Sequence, residues 1–489
     1  MKQKTEAIII NNINNLQLPD SKIAANQEAV NGCLEFDGKT VQNAEGIRRI
    51  VVESYPGKGS YIITEIWLPK NWNGIFVGLG NGGMAGKIDH WNLLKHARLG
   101  YATANTDLGT SRGIESGINN PDIWRDFGWR ATHIMTIVSK KIIKEYYGKA
   151  PEYSYFCGQS TGGQQALSEA QRFPNDYDGI IAGVPAISRI ALHTYFLWNY
   201  THLVDPEHGP LFTKEQFVDI TAYGVEFFQS KGDGKKGDNF ITNPYYGETA
   251  ISEFIEHLRS KYRFSHRQLE ALTAVYEGPK DPKTGKQIHC GVPIGSEKFA
   301  TNLLGVSIDE MPHIYPFKWV NGMDFDKFQF DFSDDFLTIR KALSNDMDAL
   351  NSDLSEYYKN GGKLISYSGT ADSVVPYAAF VKYYNRVCRH FGSVQEVQSF
   401  FKWFLLPGKN HNIGGDGVNA WFGDRDEQSI LEALRKWREE GIEPTSIIGA
   451  RRETINGETI TVFKKECQQY NGDWTEGKDF PYDLDESYI

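Results

Sequence analysis

The stretch that decides the fold is Cys157-Gly158-Gln159-Ser160-Thr161-Gly162-Gly163-Gln164-Gln165. It carries G-x-S-x-G between a buried-strand pattern, Glu152 to Cys157, and a helix-like segment, Gln164 to Gln171. A serine on a sharp strand-to-helix turn projects its hydroxyl from the end of a sheet, and flanking glycines let the backbone fold tightly there. The next N–H, from Thr161, then points at a developing oxyanion. A Gly-rich turn that merely links a strand to a helix satisfies the same pentapeptide, so the surrounding segments must decide between the two.

Strand patterns lie on both sides of this turn. Ser60 to Leu68 alternates apolar with polar residues, and Gly74 to Gly80 is a short apolar run bounded by glycines. Between Trp129 and Tyr147, apolar residues at Ile134, Ile137, Val138, Ile142 and Tyr146 fall at helical spacing. Strand, helix and strand in succession predict an α/β sheet. Gly362 to Gly369 and Ser399 to Pro407 resume the strand pattern, with a helix-like segment from Tyr377 to His390 between them. The intervening region differs, with the stretch Lys231-Gly232-Asp233-Gly234-Lys235-Lys236-Gly237-Asp238, Pro-containing turns and many aromatics such as Tyr195, Phe196, Trp198 and Trp319. A single core stops growing beyond about 250–300 residues, so 489 residues suit a core carrying a large insertion. The expected division is 1–187 and 337–489 for the two parts of the core, and 188–336 for the insertion.

An activated serine needs a base, and an acid to orient that base; in an α/β-hydrolase they follow in the order Ser, acid, His. Only His390 and His411 lie beyond the late strand at Leu364 to Tyr367. His390 ends a helix-like segment, where a cation facing the helix C-terminus explains it. His411 lies in the polar loop Pro407-Gly408-Lys409-Asn410-His411-Asn412-Ile413-Gly414-Gly415 just after a strand, and is the expected base. Asp372, in Gly369-Thr370-Ala371-Asp372-Ser373-Val374-Val375-Pro376, is the expected acid; a helix N-cap or an Asx-turn is the other reading of that position. The glycine-rich loop Gly78 to Gly86 offers a second oxyanion donor, Gly82 or Gly83. It holds neither a complete G-x-G-x-x-G nor a P-loop.

Composition narrows the partners. Lys and Arg total 52 against 62 Asp and Glu, a formal charge of −10, and no Lys/Arg block forms the basic patch that nucleic acid requires. No segment approaches the roughly 20 apolar residues of a membrane span. The run Ala7 to Ile10 is shorter than the ~7–15 residues of a signal-peptide core. The five cysteines are scattered without CxxC spacing, which argues against zinc and a disulfide framework. A reducing cytoplasm is the expected location.

Together these segments resemble the tannase and feruloyl esterase family, which includes the mono(hydroxyethyl) terephthalate hydrolases. The resemblance extends to Gly100-to-Asp107 and Asp126-to-Ala131. It implies an α/β-hydrolase core with an inserted lid, and a triad of Ser160, Asp372 and His411. It also implies hydrolysis of esters of hydroxylated aromatic acids, gallate or ferulate in type, through an acyl-enzyme; the short apolar run at the N-terminus favours small esters that enter the cell. Two departures stand out. Family members commonly join cysteines next to the serine and the histidine in a disulfide, whereas Gln159 and Asn412 stand here. The expectation is that their amides hydrogen-bond across the same gap. The family also often binds calcium in an aspartate-rich lid loop. Here Asp233 and Asp238 remain, with Ser230 where another Asp is expected and Lys235 and Lys236 opposing a cation. No metal or cofactor is required by the expected chemistry. Acyl transfer to an alcohol, cleavage of a lactone or amide, and an inactive ligand-binding scaffold are the alternatives.

Overall fold

The computed structural model describes residues 2–233, 237–299, 313–411, 414–421 and 430–471. A nine-stranded sheet organises the chain. Its strands are β1 Ser21–Glu28, β2 Ile47–Ser54, β3 Ile62–Pro69, β4 Ile75–Leu79, β5 Ala102–Thr106, β6 Tyr153–Gln159, β7 Gly179–Gly183, β8 Lys363–Gly369 and β9 Phe401–Leu406. In space they run β1-β2-β3-β5-β4-β6-β7-β8-β9. The pairings from β1 through β3 to β5 are antiparallel, and those from β5 to β9 are parallel. This is the α/β architecture expected from the sequence.

Parallel strands are covered on both faces, so their side chains feed two apolar layers alternately. Phe76, Phe156, Leu364 and Trp403 belong to one layer, and Val77, Tyr155, Ile365 and Phe404 to the other. Helix α1 (His90–Arg98) closes the second layer through Leu93 and Ala97. Helices α2 (Ala131–Tyr147) and α3 (Thr161–Arg172) close the first. The apolar spacing of Ile134, Val138 and Ile142 places these residues in the core, and Gly148 ends α2 at φ 74°.

Helix α3 begins directly after Ser160, three residues before its apolar pattern does. Thr161-Gly162-Gly163 is a poor helix former, and the start is imposed from outside: Gly162 N–H donates to Asn81 O at 2.7 Å. Between β7 and β8 the described chain is mostly helical, with α4 Arg189–Leu203, α5 Lys214–Ser230, α6 Glu248–Lys261, α7 His266–Glu277 and α8 Asp334–Met347. Capping boxes, Thr213 with Gln216 and Ser265 with Gln268, start α5 and α7. Helix α4 is almost wholly buried, and its Tyr195 hydroxyl donates to Ser373 O at 2.8 Å, tying the helical segment to the loop after β8. Helix α9 (Ala378–Phe391) then leads into β9. Among the described residues no helix is long and apolar enough to cross a membrane, and all five cysteines are unpaired.

Candidate active site

Ser160 sits between β6 and α3 with φ 61° and ψ −116°, a conformation that costs a non-glycine residue free energy and persists where surrounding contacts enforce it. Its N–H donates to Gly183 O at 2.9 Å, and its carbonyl accepts from Gln164 N–H at 3.1 Å and Ala186 N–H at 3.2 Å. The flanking glycines are a matter of space. A Cβ on Gly158 would run into the Gly162 carbonyl, and one on Gly80 would lie 2.6 Å from the Gly162 Cα.

The structure brings the three expected side chains together. His411 Nε2 lies 3.0 Å from Ser160 Oγ, and His411 Nδ1 lies 2.8 Å from Asp372 Oδ2. Asp372 is fully buried, and its other oxygen accepts from the N–H groups of Val374 and Val375 at 2.9 and 2.8 Å. The two readings of this aspartate are therefore compatible in geometry: Oδ1 makes the Asx-turn and Oδ2 faces the imidazole. An ionised carboxylate only accepts, so Nδ1 carries the proton and Nε2 presents its lone pair to the serine hydroxyl. His390, by contrast, lies in the last turn of α9 beside Asp353 at 3.1 Å.

The loop bearing His411 is fastened to its neighbours. Gly408 N–H donates to Thr370 Oγ1 at 2.8 Å, and Ala371 N–H donates to Lys409 O at 3.0 Å, joining the base loop to the acid loop. Gln159 Nε2 donates to the backbone carbonyl of His411 at 3.0 Å. The amide partner expected for Gln159, Asn412, lies outside the described residues. Lys409 is buried close to Asp372; burial pushes its ammonium down to about 8, against the opposing pull of the carboxylate.

The backbone N–H groups of Thr161, Gly82 and Gly83 donate to no protein acceptor among the described residues. Thr161 Oγ1 donates to Gly83 O at 2.6 Å, which holds the glycine loop against the start of α3. Asn81 N–H, one residue earlier, is already taken by Gln165 Oε1 at 2.8 Å.

These groups open into a cleft of about 1240 Å³. Leu192, Phe196, Val374 and Val375 give it apolar walls, and Arg189, His193 and His313 give it a polar one. Burial drives the His193 imidazole well below its usual range, helped by the Arg189 charge, and its Nδ1–H donates to His313 O at 2.6 Å. Burial likewise lowers His313 to about 4, so both rings are neutral near pH 7. The sequence reading missed all three residues. One signal was present: Arg189 is a lone charge ahead of the apolar run Ile190-Ala191-Leu192.

The calcium expectation meets an occupied carboxylate. Asp233 accepts from Thr242 N–H at 2.9 Å and from the Tyr246 hydroxyl at 2.7 Å, while Asp238 faces the Lys465 ammonium at 3.7 Å. Both oxygens of Asp233 already accept from protein donors, and the Lys465 charge opposes a cation beside Asp238, whose Oδ2 is buried without a hydrogen bond among the described residues. Lys235 and Lys236 lie outside the described residues. Elsewhere, the ligand atoms of His133, Glu169 and Asp176 gather within 4.8 Å of one another. Lys140 stands beside them, hydrogen-bonded to the Asp176 carbonyl, and supplies positive charge there.

The sheet order and the elbow define an α/β-hydrolase. Over 95% of both chains the fold matches an esterase from Aspergillus oryzae at a TM-score of 0.83 with 23% identity. It matches feruloyl esterase B from the same organism at 0.81 with 24% identity, again over 95% of both chains. The tannase and feruloyl esterase family model matches residues 48–311 and 294–470, and the chain belongs to that family of carboxylic ester hydrolases. A curated relative, probable feruloyl esterase B-1 of Aspergillus flavus, is 27% identical over 477 residues, covering 93% of this chain and 86% of the relative.

Proposed function

We propose that the protein hydrolyses esters of hydroxylated aromatic acids through an acyl-enzyme on Ser160. The observation that carries this reading is the unbroken hydrogen-bonded run from Asp372 through His411 to Ser160 at the elbow. His411 takes the Ser160 proton as Oγ attacks the ester carbonyl, then passes it to the departing alcohol. Asp372 holds the imidazole in the tautomer that accepts at Nε2 and stabilises the imidazolium that forms. The unengaged N–H groups of Thr161 and of Gly82 or Gly83 receive the oxyanion. Water, activated by His411, then releases the acid. Every step uses the chain's own groups, with no metal or cofactor.

The apolar walls around Phe196 suit a planar aromatic acyl group. Residues 188–336 act as the lid over it, a reading supported by the contribution of α4 to the cleft wall. Small esters inside a reducing cytoplasm are the natural substrates, in keeping with five unpaired cysteines.

The test is intact-protein mass after treatment with a serine-directed fluorophosphonate, with turnover of methyl gallate and methyl ferulate, in wild type and Ser160→Ala. Labelling and turnover confined to wild type support the reading. An unlabelled wild type that turns over neither ester refutes it.

A further inference from the structure

Glu169, in the last turn of α3, is 1% exposed, and neither of its carboxylate oxygens accepts a hydrogen bond from any described residue. What faces it is a second acid, Asp176, in the turn that leads into β7. His133, in the first turn of α2, completes the group. Its Nδ1 lies 2.6 Å from Asp176 Oδ2, and its ring stacks on Phe173 at 3.7 Å between centroids, which fixes the plane of the imidazole. One ligand atom from each of the three lies within 4.8 Å of the other two. The His133 and Asp176 side chains are 26% and 14% exposed, so the group opens to solvent on one side and ends inside the protein at Glu169.

A buried carboxyl without a donor must take up a proton or a cation. Two facing carboxyls strengthen that demand, since like charges in a dry site repel. Lys140, two turns along α2 from His133, is the ammonium at hand. It donates to the backbone carbonyl of Asp176, and no ion pair joins it to either carboxylate among the described residues. Burial draws its own pKa down in spite of both acids. The Glu169 oxygens therefore still lack a donor, and they lie beside an imidazole nitrogen and a second carboxylate.

We propose that His133, Glu169 and Asp176 bind a divalent transition-metal ion, for which zinc is the best match. An imidazole nitrogen with two carboxylate oxygens is a donor set that zinc accepts, whereas calcium and magnesium favour oxygen alone. Zinc holds such ligands at about 2.0–2.2 Å, and side-chain shifts of about 1 Å draw the three atoms onto one ion. Water from the open side supplies the fourth ligand. Each coordinate bond uses a lone pair of the protein, and the proton that the metal-free pair holds leaves to solvent. The ion ties α2 to the end of α3 and to the turn before β7. Glu169 lies about 13 Å along α3 from Ser160, so the site is separate from the ester chemistry.

Zinc itself is the probe, applied to the full chain after treatment with EDTA. Equilibrium dialysis should find a tightly held ion on wild type, bound at least about a hundredfold more weakly by His133→Phe and by Glu169→Gln. His133→Phe keeps the stack on Phe173 and Glu169→Gln keeps the shape of the side chain, so each removes a ligand and little else. Zinc should also raise the Tm of wild type by a few degrees and leave those of the two variants unmoved. Wild-type crystals soaked in zinc decide the matter without a variant, through anomalous diffraction at the zinc edge. A peak among His133, Glu169 and Asp176 supports the proposal. Peaks only elsewhere, for example at His411, overturn it, as does zinc binding that both variants keep. A wild type that takes up no zinc shows that a proton alone serves the carboxyl pair, and refutes the site.

Discussion

Replacing Asp372 with Asn tests the relay at its least forgiving point. The carboxylate uses Oδ1 for the N–H groups of Val374 and Val375 and Oδ2 for His411. An amide has one oxygen for these two tasks. If the oxygen stays with the backbone, the NH₂ group faces His411 Nδ1, which must then accept, and the proton moves to Nε2, where the base is needed. The flipped amide restores the tautomer but turns its NH₂ towards two buried N–H donors. Each unmet donor costs about 1–3 kcal/mol, so the flipped form lies about 2–6 kcal/mol higher and holds about 3 × 10⁻² to 4 × 10⁻⁵ of the molecules. Turnover of methyl ferulate by Asp372→Asn should fall by at least that factor, since a neutral amide also fails to stabilise the imidazolium. The Tm should stay within a few degrees of wild type, because both backbone bonds survive. A kcat within tenfold of wild type, with Tm unchanged, would show that proton transfer does not run through this arrangement.

Gln159→Leu removes the 3.0 Å bond to the His411 carbonyl and should lower stability by about 1 kcal/mol. It should also cut kcat about tenfold with little change in KM, as the imidazole wanders from Ser160; a KM effect alone would deny Gln159 this positioning role. Burial, with the Asp176 charge beside it, holds the Glu169 carboxyl well above its ordinary value near 4.5. Its contribution is therefore complete below about pH 4.5 and is lost as pH rises through the folded-state value, because the unfolded chain releases the proton first. Glu169→Gln should gain on wild type in Tm between pH 4.5 and 7, and a pH-independent difference between the two proteins would contradict this.

The juxtaposition of Ser160, Asp372 and His411 was legible because each lies in a short continuous motif at the end of a strand. Local pattern sets the strand, glycines mark the turn, and one polar side chain remains to be read. The strand β1, Ser21–Glu28, was not legible: its residues are polar or half-buried, and it exists as an edge through pairing with β2. The true start of α3 escaped for the opposite reason, since contacts from Asn81 and Gly183 override a weak local propensity. Arg189, His193 and His313 escaped because the cleft is assembled by packing across 125 residues of chain, and no spacing rule spans that separation. The Asx-turn and the relay looked like rival readings of Asp372 only because a one-letter code does not say that a carboxylate has two oxygens to divide.

Among the described residues, an amide-to-carbonyl hydrogen bond from Gln159 ties the elbow to the backbone of the His411 loop, and none of the five thiols takes part in it. Such a latch is indifferent to electron supply. Glutathione or dithiothreitol finds no sulfur–sulfur bond to cut in it, so assembly of the site is expected to follow temperature and denaturant.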